Sequence, residues 1–220
     1  MPIFSKGELN MKNILDFIYP QTCFWCGKIT KLNPCKKCEI ELNKIINFNI
    51  EYKEGFKHIY LSKYIGKMRK KILDFKFNEK PYLKTGFVNL FIKNKKMCLL
   101  LSKYDIIMEV PIHKKREKQR GYNQSQIIAK EIAKNMLNIE YENNVLIKLK
   151  NTLSQSTLDS KMRRQNVVGV YGVQNTEKIE NKKIILFDDI YTTGSTAKEC
   201  INVLKNNGAK CVDILTIAKD

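Results

Sequence analysis

The segment that most constrains the fold is residues 184–196, where an apolar run leads into two adjacent acids and a loop of small residues. The run Ile-Ile-Leu-Phe has the length and composition of a buried strand, and Asp188 and Asp189 follow it directly. Residues 197–207 then carry apolar side chains at helical spacing and end before a glycine. Because the first amides of a helix have no partner within it, a strand, loop and helix in this order can bind an anion. We therefore predict a site for a sugar phosphate, with the two acids accepting hydrogen bonds from ribose hydroxyls.

The loop contains the residue types that a phosphate site requires. Its hydroxyl groups add hydrogen-bond donors, and its glycine lets the backbone approach a ligand closely. The predicted phosphate-binding residues are Thr192, Thr193, Gly194, Ser195 and Thr196. The whole segment resembles the phosphoribosyl-pyrophosphate (PRPP) signature of type I phosphoribosyltransferases. The alternative is a buried strand followed by an ordinary polar turn.

The net charge is strongly positive, because 40 lysines and arginines stand against 22 acids and give +18. Such a surface attracts phosphate-rich partners, including nucleic acid. The alternative is a lysine-rich composition that follows an A/T-rich genome, and charge alone does not choose between the two. No apolar run approaches the roughly 18–20 residues that span a bilayer, and charges interrupt the apolar pattern of residues 1–19. We therefore expect a cytoplasmic protein with no membrane span.

Four of the seven cysteines form two Cys-x-x-Cys pairs, Cys23 with Cys26 and Cys35 with Cys38. Two such pairs complete the tetrahedral, all-sulfur coordination that structural zinc prefers. A closed four-thiolate site has no position for a substrate, so we expect Zn²⁺ to stabilise a segment of about 40 residues that is too small to bury its own core. Redox disulfides are the alternative. The three remaining cysteines, expected to pack as small apolar residues, are Cys98, Cys200 and Cys211.

The apolar periodicity divides the chain into an N-terminal helix with the cysteine segment, a connecting or hood-like segment, and a core, at residues 1–46, 47–100 and 101–220. The predicted helices are 8–18, 38–46, 64–77, 82–94, 125–137 and 197–207. The predicted strands are 106–112, 145–149, 167–173, 184–187 and 211–218, after weak strand signals at 47–62. Strands that alternate with helices indicate an α/β fold with a mostly parallel sheet flanked by helices. Such sheets bind ligands at the carboxyl ends of their strands, where the PRPP-like loop falls.

Two further loops carry cations suited to phosphate. The first, residues 111–124, follows a predicted strand, and its candidate ligands for pyrophosphate or a DNA backbone are Lys114, Lys115, Arg116 and Arg120. The second, residues 151–166, is long and polar, as active-site lids often are, and would bring Arg163 and Arg164 over a bound phosphate. The alternatives are a solvated basic turn and a surface excursion with a short helix.

In this order, the cysteine quartet, the basic segments and the PRPP-like motif resemble the ComF family of competence proteins. Further matching segments are Tyr64-x-Gly66, Lys76-Phe77, Val110-Pro-Ile-His, Arg120-Gly-Tyr-Asn-Gln124 and residues 212–218. The resemblance implies a type I phosphoribosyltransferase-like fold with an N-terminal zinc ribbon. It also implies a role in natural transformation on incoming single-stranded DNA, beside the competence uptake machinery. In the ribose site it implies that Asp188 and Asp189 bind hydroxyls directly or through Mg²⁺.

Three functions remain open from the sequence. The favoured one is a competence protein that handles single-stranded DNA and has a PRPP or ribose 5-phosphate pocket. The alternative is an active phosphoribosyltransferase of the nucleobase-salvage type that uses Mg²⁺–PRPP, for which we assign no catalytic residue and recognise no base-binding set. A regulator that senses PRPP is the third.

Overall fold

The structure, a computed structural model, describes residues 20–77, 80, 83–150 and 169–220. The predicted helix over residues 8–18 lies outside the described residues, as does the predicted lid over 151–166 with Arg163 and Arg164. Arg116 and Arg120 are described in their backbone only. The cysteine segment, the sheet and the PRPP-like loop all fall within the described ranges.

The described part of the chain contains a mostly parallel, six-stranded sheet and a separate two-stranded one. The strands are β1 Asn49–Lys53, β2 Phe56–Lys63, β3 Ile106–Glu109, β4 Glu140–Tyr141, β5 Leu146–Lys148, β6 Tyr171–Val173, β7 Lys183–Tyr191 and β8 Cys211–Lys219. The large sheet has the order β1-β2-β8-β7-β3-β4, and its neighbours are parallel except in the β1–β2 hairpin. The predicted α/β fold is therefore confirmed. The sheet also includes residues 49–63, which the sequence placed in the connecting segment.

The two strands β5 and β6 correct one expectation. Their alternation with helical segments suggested that they join the parallel sheet, but they pair with each other in antiparallel fashion. Their apolar side chains, among them Leu146 and Tyr171, pack with the core cluster around the last helix, where they do not extend the main sheet. Neighbouring strands in sequence often pair directly, and this tendency outweighs the α/β alternation here.

Seven α-helices lie in the described residues: α1 Lys36–Ile45, α2 Gly66–Phe77, α3 Leu83–Ile92, α4 Lys95–Leu101, α5 Lys114–Arg120, α6 Gln124–Lys134 and α7 Ser195–Asn206. Helix α2 begins two residues later than predicted, and Ile65, which precedes it, is 65% exposed. Helix α4 was not predicted. It begins because the side chain of Asn94 accepts a hydrogen bond from the Met97 amide (3.1 Å), the arrangement of a helix N-cap.

Strand β7 is buried on both faces, which explains its continuous apolar run. Ile185 and Phe187 belong to the core cluster shared with α2, α3 and α6, whereas Ile184 and Leu186 belong to the cluster shared with α7. Successive side chains of a strand point to opposite faces, so this single strand joins the two layers of helices. It also fixes the position of the acids that follow.

The cysteine segment packs on α3 through one aromatic side chain. Phe24 is fully buried, and its ring lies 5.8 Å from Trp25 and 5.8 Å from Phe87. A Cβ atom on Gly86 would lie only 2.0 Å from Cγ of Phe24, so the helix can approach the ring this closely because residue 86 is glycine. The side chain of Asn89 adds a hydrogen bond to the Asn33 carbonyl (2.7 Å).

Candidate functional site

Strand β7 carries the acid pair from the centre of the sheet to its carboxyl edge. It extends past the predicted end at residue 187 to Tyr191. On one side β3 ends at Glu109, opposite Phe187, while on the other side β8 continues and pairs Thr216 with Asp188. The acids therefore lie beyond the end of one neighbouring strand, in the kind of crevice where parallel sheets bind ligands.

The two acids have different surroundings. Oδ1 of Asp188 accepts hydrogen bonds from the Ser125 hydroxyl (3.1 Å) and from the Asp189 amide (2.8 Å). Asp189 is 5% exposed, and its two oxygens lie 2.7 and 3.0 Å from Nζ of Lys76. Burial, together with the neighbouring Asp189 charge, raises the pKa of Asp188 to about 7, although Lys76 and both hydrogen-bond donors favour its charged form.

Lys76 reaches the site because a tyrosine and a glutamine hold the last turn of α2. The Tyr122 hydroxyl donates to the Phe75 carbonyl (2.7 Å), and the Gln124 side chain donates to the Lys76 carbonyl (3.2 Å). Between them, Asn123 caps α6 by accepting a hydrogen bond from the Ser125 amide (3.1 Å). The Gly-Tyr-Asn-Gln segment thus joins α2 to the acid pair. The sequence assigned no site role to Lys76.

The PRPP-like loop leads directly into α7. The N-cap residue, Gly194, has φ of 74° and no side chain to cap the helix; the Ser195 amide donates a long hydrogen bond to the Thr193 hydroxyl (3.4 Å). A Cβ atom here would lie 2.0 Å from the hydroxyl of Tyr191, so both the backbone conformation and the space require glycine. Thr193 and Ser195 share a hydrogen bond between their hydroxyls (2.9 Å). Asp188 and the loop border one small, open pocket, lined by Asp188, Ile190, Tyr191, Thr192, Gly194, Ser195, Thr196, Ala197, Ile214 and Thr216.

A buried histidine contacts two residues that line the pocket. The ring of His58 stacks on Tyr191 at 4.0 Å, and its Nε2 lies 2.9 Å from the hydroxyl of Thr216, which lines the pocket. Burial lowers the pKa of His58 to about 4, so the ring is neutral near pH 7. Sequence reasoning missed His58, because nothing local connects it to a loop more than a hundred residues away.

The four predicted metal ligands come together. The sulfur atoms of Cys23, Cys26, Cys35 and Cys38 all lie within 4.8 Å of one another, so the cluster could hold a metal ion such as zinc. Although burial raises the pKa of Cys23, hydrogen bonds from the backbone of Cys35, Cys26 and Trp25 lower it to about 6. Burial and the neighbouring cysteine sulfurs raise the pKa of Cys38, so the shifts oppose each other within the quartet and the fit to a metal rests on the spacing of the four sulfurs. The donor set therefore fits a structural Zn²⁺.

Comparisons with known proteins agree with this arrangement. Residues 115–220 match the family model described as Phosphoribosyl transferase domain. Competence protein F of Haemophilus influenzae is 26% identical, over 99% of this chain and 96% of the relative. Competence protein ComFC of Bacillus subtilis is 25% identical, over 90% of this chain and 77% of the relative. The chain belongs to the ComF family.

More distant likenesses cover smaller parts. DNA utilization protein YhgH of Escherichia coli K12 is 25% identical to this ComF-family chain. The match covers 52% of this chain and 49% of YhgH. Among solved structures, the allosteric regulatory enzyme of purine biosynthesis has a TM-score of 0.42 at 18% identity, over 66% of this chain and 30% of that one. A hypoxanthine phosphoribosyltransferase from Staphylococcus aureus has a TM-score of 0.37 at 15% identity, over 61% of this chain and 64% of that one. Neither structure bears on the site of the ComF-family protein.

The basic loop of this ComF-family chain forms the short helix α5. Its first residues, Lys114 and Lys115, are exposed, and Arg116 and Arg120 lie in the same helix. His113 caps α5 by accepting a hydrogen bond from the Lys115 amide (3.2 Å). Phosphate binding by these cations remains a prediction. Among the described residues, no helix has both the length and the apolar character that a bilayer span needs.

Proposed function

We propose that this ComF-family protein binds a phosphoribosyl ligand, PRPP or a related compound, and handles incoming single-stranded DNA during natural transformation in the cytoplasm. One observation carries the ligand proposal: Asp188 of the acid pair and the start of α7 border the same pocket. The names of the relatives, Competence protein F and ComFC, support the competence role, which would place the protein beside the DNA-uptake machinery.

The pocket offers complementary groups for the two ends of a ribose phosphate. The amides and hydroxyls of residues 192–196 would hold the phosphate, because a helix start combines N–H donors with a partial positive charge. Asp188 and Asp189 would accept hydrogen bonds from the ribose hydroxyls. Lys114, Lys115, Arg116 and Arg120, with Arg163 and Arg164, would contact pyrophosphate or the DNA backbone.

A basic helix supports the DNA proposal. Lys67, Arg69 and Lys70 are exposed on α2, whose last turn presents Lys76 to the acid pair. A helix of 12 residues is about 18 Å long, and its basic residues run from Lys67, which lies over the Trp25 ring of the cysteine segment, to Lys76 at the acid pair. A phosphate backbone lying along α2 would be drawn to them by charge.

Calorimetric titration with PRPP tests the ligand proposal. We expect saturable binding by the wild-type protein, retained by Glu177→Ala, which removes an exposed acid. Binding should be lost when Asp188→Ala and Asp189→Ala are combined. The absence of PRPP binding to the wild-type protein would refute the proposed pocket.

Fluorescence anisotropy with a labelled single strand tests the DNA proposal. Affinity should fall steeply with salt, because lysines and arginines displace counterions from the phosphates. The pair Arg69→Ala and Lys70→Ala should weaken binding more than Lys95→Ala with Lys96→Ala, which removes equal charge from α4. Equal effects, or an affinity independent of salt, would contradict DNA contact along α2.

The second candidate is an active phosphoribosyltransferase, which the match of residues 115–220 to the Phosphoribosyl transferase domain favours. Release of pyrophosphate from PRPP across a panel of nucleobases tests it. Release that the paired aspartate variant abolishes would support an enzyme. Tight PRPP binding without release for any acceptor would refute it.

A further inference from the structure

The positive charge beside the acid pair comes from the protein itself. The ammonium of Lys76 lies 2.7 and 3.0 Å from the two oxygens of Asp189, whose side chain is 7% exposed. A phosphoribosyltransferase-like fold implies Mg²⁺ with PRPP, so the donor atoms left for a metal ion decide whether the acids fit that role.

Few oxygens of the acid pair remain for Mg²⁺. Both Asp189 oxygens face Lys76, and Oδ1 of Asp188 already accepts two hydrogen bonds, from Ser125 and from the Asp189 amide. Magnesium needs near-octahedral oxygen ligands and is repelled by an adjacent ammonium, so binding at Asp189 would require Lys76 to leave. The acid pair therefore does not fit a Mg²⁺ ligand set in this arrangement.

Lys76 is held in place by the fold around its backbone. The carbonyls of Phe75 and Lys76 accept hydrogen bonds from Tyr122 (2.7 Å) and Gln124 (3.2 Å). The Phe75 ring is buried and lies 5.9 Å from the ring of Tyr122. Moving the lysine away from Asp189 would therefore have to rely on its side chain alone, against a buried, charge-assisted ion pair.

We propose that Lys76 replaces the metal ion at the acid pair, so that the pocket binds a ribose 5-phosphate group without Mg²⁺ between the ribose and the aspartates. This inference rests on the proposed phosphoribosyl pocket and selects direct hydroxyl contact over contact through a metal. Lys76 is a specificity-determining residue in this account: it neutralises Asp189 while the carboxylates remain acceptors for hydroxyl groups.

The test compares ligand binding in excess EDTA with binding at saturating Mg²⁺. Ribose 5-phosphate is the first ligand, because it lacks the pyrophosphate that binds Mg²⁺ itself, and PRPP is the second. The proteins are the wild type, Lys76→Met, Lys76→Arg and the control Lys96→Met, which removes an exposed lysine from α4. Circular dichroism and thermal unfolding establish that each variant is folded.

For ribose 5-phosphate, we expect wild type and Lys96→Met to show dissociation constants in EDTA within about twofold of those in Mg²⁺. Lys76→Arg, which retains the charge, should resemble them. Lys76→Met should bind at least about tenfold more weakly in EDTA and recover in Mg²⁺. Titration with Mg²⁺ alone should give heat with Lys76→Met and none with wild type. Metal dependence as strong in wild type as in Lys76→Met would overturn the inference, as would metal-independent binding by Lys76→Met. Failure of both ligands to bind wild type under either condition would instead refute the pocket.

Discussion

Replacing Gly86 by alanine tests how the cysteine segment is held on the rest of the protein. The new Cβ atom would lie 2.0 Å from Cγ, 2.4 Å from Cδ1 and 2.5 Å from Cβ of Phe24. Carbon atoms in contact are about 3.5–4.0 Å apart, so these positions cannot all be occupied. The Phe24 ring is fully buried beside Trp25 and Phe87, which leaves it no space to move into. The variant must therefore displace the cysteine segment from α3.

Two opposing effects set the size of the change in the free energy of unfolding. Overpacking a buried site costs about 1–3 kcal/mol, and more where the neighbours cannot yield. Replacing glycine by alanine inside a helix recovers roughly 0.5–1 kcal/mol. We therefore expect Gly86→Ala to lower the free energy of unfolding by about 1–2 kcal/mol. In a chain of this size, that change lowers the melting temperature by about 2–8 °C.

A double-mutant cycle identifies Phe24 as the source of this loss. Phe24→Gly removes all three atoms in the clash, so Gly86→Ala should then be nearly neutral. The interaction energy between the two substitutions should be about 1–2 kcal/mol.

Urea unfolding followed by tryptophan fluorescence and circular dichroism measures this cycle. The chain has one tryptophan, Trp25, which neighbours Phe24, so its emission reports on the cysteine segment directly. The same loss from Gly86→Ala in both backgrounds would refute the proposed packing, and so would stabilisation of the wild type.

Three other results are expected. Chelation of bound zinc should shift Trp25 emission to longer wavelength, and a folded protein without zinc whose emission ignores chelators would contradict a structural metal site. Gly194→Ala should abolish PRPP binding measured by calorimetry, whereas Gly55→Ala, also at positive φ but in the β1–β2 turn, should retain it; equal losses would contradict a role for the loop. An unfolded histidine binds a proton near pH 6.5 and folded His58 only near pH 4, so the wild type should lose stability as pH falls through this range. The free energy of unfolding, measured in urea, should fall by on the order of 3 kcal/mol less in His58→Gln than in the wild type over this pH range. The same pH dependence in both proteins would contradict the burial effect.

Local patterns predicted the parts of the site that are continuous in sequence. The apolar run of β7, the loop after Asp189 and the start of α7 each follow from neighbouring residues, and the structure contains all three. The cysteine quartet was predictable for the same reason, because each Cys-x-x-Cys pair brings two sulfurs together by local geometry.

Long-range contacts were not predictable from these patterns. Lys76 and Asp189 are in contact although they lie 113 residues apart in the sequence, and His58 and Thr216 are in contact at a separation of 158 residues. Both contacts depend on strand order: β2 lies beside β8, and β8 beside β7, which brings the middle segment of the chain to the acid pair. Helical spacing predicts α2 but gives no position for the side chain of Lys76 in its last turn.

An experimental structure of the protein with PRPP would test whether residues 188–196 form a phosphoribosyl pocket. We expect the 5′-phosphate on the amides of residues 192–196 at the start of α7. The ribose hydroxyls should lie within hydrogen-bond distance of Asp188 or Asp189. PRPP bound elsewhere, with this loop empty, would contradict the account.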